Sequence, residues 1–267
     1  MNLDRKLLIV IDPTLDSQPA VERVVNLITE GPAEYQPSIT LLVTTDCSIH
    51  HTDKPGSYWT MAQVDAVSER LVAAGHTPEV LISWSTDWAD NILYTAETVE
   101  ATAIMLSHPG AEKVKAMTDE FWHLVRNTSV PIAIHQSHQQ PKFSTVLASV
   151  NLQDDSEQRE ELNRRVVRAG MAIAKIYGAQ LHLANAYGTS SEYPNRGKLV
   201  ASTGLPNDNI HLVAGEPEEG IAEIVNTLDP DALIIGATHR RGIKAALRGR
   251  KMSRIFRAVD KDIYIIV

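Results

Sequence analysis

Short continuous apolar runs alternate along this chain with segments whose apolar residues return every three to four positions. Leu7, Leu8, Ile9, Val10 and Ile11 form one such run, which ends in Asp12; Val146 to Val150 form a second, which ends in Asn151. Runs of this length with no polar face predict strands buried on both sides, as in a parallel sheet. Behind the first run Val21, Val24, Val25 and Ile28 fall at i, i+3, i+4 and i+7. Behind the second, Leu162, Val166, Ala169, Gly170 and Ile173 share one helical face. Each pattern predicts an amphipathic helix laid on the sheet, the second closed by Gly178 as its C-cap.

The pattern occurs twice. Ile92 to Leu106 aligns without a gap on Ile221 to Ile235, at an offset of 129 residues. Both stretches read as a helix, a turn and an apolar strand, Ala103–Leu106 in the first copy and Ala232–Ile235 in the second. Each copy ends on another helix and a last strand, Pro131–Ile134 and Ile263–Val267. Each therefore predicts β-α-β-α-β-α-β-α-β, an alternation that gives an α/β, doubly wound, mostly parallel five-stranded sheet with helices on both faces. An antiparallel or exchanged fifth strand is the variant of that expectation. The domains expected are 1–138 and 146–267, joined by a linker at 139–145. Both last strands are apolar, so the halves are expected to pack as an intramolecular pseudo-dimer through them, with a homodimer as the larger assembly. Limited proteolysis around Gln136–Lys142 followed by gel filtration measures this, and halves that separate freely after cleavage count against it.

Sheets of this kind bind ligands beyond the C-terminal strand ends, where strand order reverses. That rule selects Asp12 and Asn151 after the first strand of each copy, and the loops Ser107–Thr118 and Gly236–Gly249 after the fourth. In the second copy the loop reads Gly236, Ala237, Thr238, His239, nine further residues, then Gly249 and Arg250. Glycines there let backbone N–H groups approach a polyphosphate, and the following helix start favours its charge. This frame resembles the Gly-x2-Gly-x9-Gly-Ser/Thr loop of ATP-binding universal stress proteins, with His239 in place of the second glycine and Arg250 in place of the hydroxyl residue. The first copy departs further: Ser107, His108, Pro109 and Gly110 replace the loop, and Thr118 and Asp119 replace its closing pair. The stretches Leu8–Ala20, Phe121–Arg126 with Val130 and Pro131, and Ser149–Leu152 are similar to the E-type tandem members of the family. The resemblance spans essentially the whole chain. It implies two tandem Rossmann-like, adenine nucleotide alpha hydrolase-like domains, and it implies adenine or ribose contact for the carboxylate at Asp12. Asp12 lacks a phosphate loop in its own copy, and the second copy has Asn151 instead. Asn still donates and accepts hydrogen bonds, which makes the second copy the better nucleotide site. Its candidate residues are Asn151, Gly236, Thr238, His239, Gly249, Arg250 and Lys251.

Simpler readings stand beside these. Asp12 precedes Pro13 and could only shape a turn; Gly236 could serve close packing; the basic run could be a solvated helix face. Charge and composition sharpen the choice. The net charge of −8 divides into 18 acidic against 8 basic residues over 1–138, and 15 against 17 over the remainder. Seven of those 17 basic residues lie between Arg240 and Arg254. One local basic cluster on an acidic chain suits a single anionic group on a small ligand and not nucleic acid. No apolar run reaches membrane-spanning length. Met1–Lys6 lacks the order of a secretory leader, and Cys47 is the only cysteine, so a cytoplasmic protein without a disulfide is expected. His50 and His51 are adjacent and predict no metal site. Trp59, Trp84, Trp88 and Trp122 are expected mostly in the core, except that Trp84 and Trp88 flank the end of the third strand and could line an apolar pocket. Catalytic loop motifs are missing. The chain is therefore expected not to be an enzyme and to need no cofactor, with ATP or another adenine nucleotide as the candidate ligand. A pocket for an apolar or acyl-containing metabolite, or a protein-interaction scaffold, is the alternative.

Overall fold

The computed structural model describes residues 5–13, 15, 17–32, 35–46, 61–85, 87–108, 118–136, 142–237, 254–256 and 259–267. Two compact units divide them, the first running to residue 136 and the second starting at residue 142.

In the first unit strands and helices alternate: β1 (Lys6–Ile11), α1 (Pro19–Glu30), β2 (Ser38–Asp46), α2 (Met61–Ala73), β3 (Glu79–Ser85), α3 (Trp88–Thr98), β4 (Ala103–His108), α4 (Asp119–Asn127) and β5 (Ile132–Gln136). The strands lie in the order β3-β2-β1-β4-β5, every pair parallel. Leu8, Ile9, Ile11, Leu41, Leu42 and Ile104 are fully buried in it. Helix α1 begins with Pro19 and buries Val21, Val24 and Leu27 against the sheet, so Val21 and Val24 of the expected stripe are buried while Val25 and Ile28 are half-buried and Leu27 takes their place. Thr118 caps α4, its hydroxyl accepting from Phe121 N at 3.2 Å.

The second unit repeats this plan with β6 (Thr145–Ser149), α5 (Glu157–Tyr177), β7 (Gln180–Tyr187), α6 (Arg196–Thr203), β8 (Ile210–Ala214), α7 (Pro217–Leu228), β9 (Ala232–Gly236) and β10 (Asp262–Ile266). A short helical turn covers 254–256. The order β8-β7-β6-β9-β10 is again parallel throughout. Gly178 ends α5 in the left-handed region at φ 67°, as its position predicts. Leu162, Val166 and Ala174 of α5 pack with Val146, Ala148, Leu181 and Leu183 into one apolar core.

The repeat reaches single residues. The described non-glycine residues with positive φ are Glu100 (54°) and Asp229 (50°), which sit at the same 129-residue offset and end α3 and α7. Each carboxylate bonds a lysine, Lys6 and Lys261 respectively. That hydrogen bond and the ammonium charge hold both below the usual carboxylate range. Two residues on, Thr102 accepts from Lys6 N and Asp231 accepts from Thr145 N, so each side chain tethers the start of its unit's first strand. Among the described residues no helix is long and apolar enough to cross a membrane.

Candidate functional site

In the second unit β6 pairs with β7 on one side and with β9 on the other. The chain leaves β6 toward β7 and returns at β9, so the strand order reverses between β6 and β9. The crevice at their C-terminal ends is where a doubly wound sheet takes a ligand. Asn151 lies just beyond β6 and Gly236 ends β9, so two of the residues chosen from sequence meet at this point.

Asn151 is held from three directions. Its N–H donates to Asn163 Oδ1 at 3.0 Å, and Asn163 Nδ2 donates back to its carbonyl at 2.7 Å. Its Oδ1 accepts from Gln153 N at 3.0 Å, the pattern of an Asx turn. Its Nδ2 has no hydrogen-bond partner among the described residues. Gln153 and Asn185 exchange a reciprocal pair of amide hydrogen bonds at 3.0 Å, and Asn185, 1% exposed, also donates to Val150 O. Four neutral amides (Asn151, Gln153, Asn163 and Asn185) therefore line the end of β6. Such groups donate and accept without charge, which suits hydroxyls and the polar edges of a planar ring. The sequence reading missed Asn163, Gln153 and Asn185; an Asn within the apolar β7 run was the available signal.

Gly236 has a packing reason for its missing side chain. A Cβ there would lie 2.8 Å from Leu162 Cγ and 2.9 Å from its Cδ2. The absent methyl lets α5 approach β9. Ala237 N then donates to Ile266 O at 2.7 Å, keeping the chain on the sheet as it leaves the strand. Thr238, His239, Gly249, Arg250 and Lys251 lie outside the described residues. Arg254, which ends the basic run, is described, and it bonds Glu218 Oε1 at 3.0 Å. The Glu218 side chain is 4% exposed and stands in the first turn of α7, where the helix dipole favours its charge. Arg254 is thus engaged within the protein. The sequence signal for its partner was only one acid among several in that turn.

The first unit has the same reversal between β1 and β4, but its own side chains occupy the helix start there. Ser107, at the offset position of Gly236, accepts from Ala20 N at 3.1 Å in the first turn of α1. Asp12 is held as a turn: its carbonyl accepts from Leu15 N and Gln18 Nε2, and its N–H donates to Gln18 Oε1. Asp119 and Glu120 open α4, which complements the dipole and repels a phosphate. Trp122 is buried, as expected of a core residue, whereas Trp84 on β3, set apart from the core in the sequence, is 61% exposed. Its strand is at the sheet edge, where one face is not fully covered. Trp59, Cys47, His50 and His51 lie outside the described residues. Among the described residues no three metal-ligating side chains cluster.

Comparison with known proteins agrees with this architecture. The universal stress protein family model matches residues 195–266, within the second unit. The chain is 24% identical to the universal stress protein E homolog of Haemophilus influenzae, over 94% of this chain and 93% of that one. It is 24% identical to universal stress protein E of Escherichia coli, over 100% and 95%. Among solved structures it is similar in fold to a functionally unknown protein of Pseudomonas aeruginosa (TM-score 0.80, 19% identity, 99% and 93% covered). A universal stress protein of Archaeoglobus fulgidus is similar at TM-score 0.73 and 14% identity, with 98% of each chain covered. With a family match over residues 195–266 and full-length likeness to E-type relatives, the chain is similar to tandem, two-unit members of the universal stress protein family.

Proposed function

We propose that this chain is a cytoplasmic stress-response protein that binds one adenine nucleotide at the strand reversal of its second unit, without efficient catalysis. The observation that carries the reading is the row of neutral amides around Asn151, at the C-terminal end of β6 and beside the glycine frame that starts at Gly236. The amides match the hydroxyls and ring edge of a nucleoside. The glycine frame and the basic run after it match the phosphates. In this reading Asp12 shapes a turn of the first unit, its carbonyl accepting from Leu15 N and Gln18 Nε2.

Arg250 is the residue that decides between a clamped phosphate and a filled loop. Calorimetry with ATP on the wild type and on Arg250→Ser is expected to show affinity about 10- to 100-fold weaker in the variant, the worth of one charge-assisted hydrogen bond. Tighter binding in Arg250→Ser means that Arg250 occupies the phosphate space. Absence of binding heat in both proteins removes ATP and leaves the apolar-metabolite or scaffold reading.

A further inference from the structure

Among the described residues β8 is an edge strand of the second unit and pairs with β7 alone. The ladder sets Ala184 opposite His211. His182 lies two residues before Ala184, so both histidines project on the same face of the sheet. Their rings stack with centroids 5.2 Å apart and planes 18° apart, and His182 Nδ1 stands 2.9 Å from His211 Nε2. A single hydrogen bond between two imidazoles needs an N–H on one nitrogen and a lone pair on the other. The contact therefore holds while at least one ring is neutral and becomes donor against donor when both are protonated.

The surroundings add positive charge and little to offset it. Arg196 of α6, anchored on Asn207 O at 3.1 Å, acts electrostatically on His211. The buried residues of α7 are Glu218, Gly220, Ile221, Ile224 and Val225, of which Glu218 alone ionises. Of the acids on α7, Glu218 bonds Arg254, and Glu219 and Glu223 are exposed. Asp208, in the turn before β8, is also exposed, and among the described residues no carboxylate bonds either ring. We propose that the His182–His211 pair is an acid-sensitive latch that holds β8, and the α6 segment leading into it, on the second unit, closed while one ring is neutral and released when both rings are charged. It is independent of the nucleotide reading.

Burial holds His182 below the ordinary histidine range. Burial does the same for His211, followed by the other imidazole and Arg196. The unfolded chain takes up protons at about pH 6.5. The latch thus contributes its full stability above that pH and loses it as pH falls through the lower folded values.

Hydrogen exchange on the full chain at pH 7.5 and pH 5.0, corrected for intrinsic rates, tests this. Amides of β8 are expected to lose at least about tenfold more protection on acidification than those of β9 and β10, the equivalent of one unit of differential proton affinity. In His211→Gln, which keeps a hydrogen-bonding group that never charges, that excess disappears. The same excess in the variant overturns the proposal, as does equal loss over all three strands in the wild type. Ring proton shifts followed by NMR need no variant. Coupled titrations displaced to low pH support the latch, and two independent midpoints at about 6.5 overturn it.

Discussion

Replacing Gly236 by valine lowers the stability of the second unit by about 1–3 kcal/mol, the usual cost of forcing methyl groups into a packed interior. The new Cβ would meet Leu162 at its branch carbon, 2.8 Å away, so a simple rotation of the leucine tip does not clear it. Leu162→Ala alone costs about 2–5 kcal/mol through lost burial and a cavity. The double variant costs less than the two single costs combined, because each change supplies the room or the volume that the other needs. Urea denaturation of the four proteins measures this coupling. Strict additivity would mean that α5 does not rest on Gly236, and would leave the glycine to the ligand alone. The experiment thereby separates packing from phosphate approach at a residue where both roles were legible beforehand.

Removing the Arg254 guanidinium is the second large effect. Arg254→Met is expected to cost about 2–3 kcal/mol at neutral pH. It withdraws a charge-assisted partner from Glu218, whose side chain is 4% exposed. The arginine side chain itself is 69% exposed, so the loss falls short of that for a pair buried on both sides. Combining Arg254→Met with Glu218→Gln recovers much of the loss, since the desolvated carboxylate is then gone. A double-mutant cycle reads the coupling directly, and a value under about 0.5 kcal/mol would reclassify the contact as a surface pair. ATP affinity, measured on the same Arg254→Met protein, stays near that of the wild type. Arg254 is turned toward α7, whereas Arg250 carries the proposed phosphate contact.

Strand and helix type follow from periodicity, which is local. Leu7–Ile11 and Val146–Val150 have no polar face, and a strand with no polar face must be covered on both sides, which only a helix-clad parallel sheet does. The ungapped offset of 129 residues then made the second unit a copy of the first, down to the paired left-handed residues Glu100 and Asp229. The rule that ligands sit at the strand reversal puts Asn151 and Gly236 at one place from sequence alone. What depends on register between elements was not legible. That Gly236 makes room for Leu162, that Glu218 holds Arg254, and that His182 meets His211 are relations between side chains far apart in sequence. No period of 2 or 3.6 encodes such pairs; the ladder register and the depth of helix packing decide them. The same holds for Asn151. Its residue type advertised hydrogen bonding, but only the packing of α5 placed Asn163 on its backbone and left its Nδ2 without a partner among the described residues. Sequence by itself determined the architecture, its duplication and the end of the sheet that carries the site. Tertiary structure decided which polar groups there are already committed to the fold.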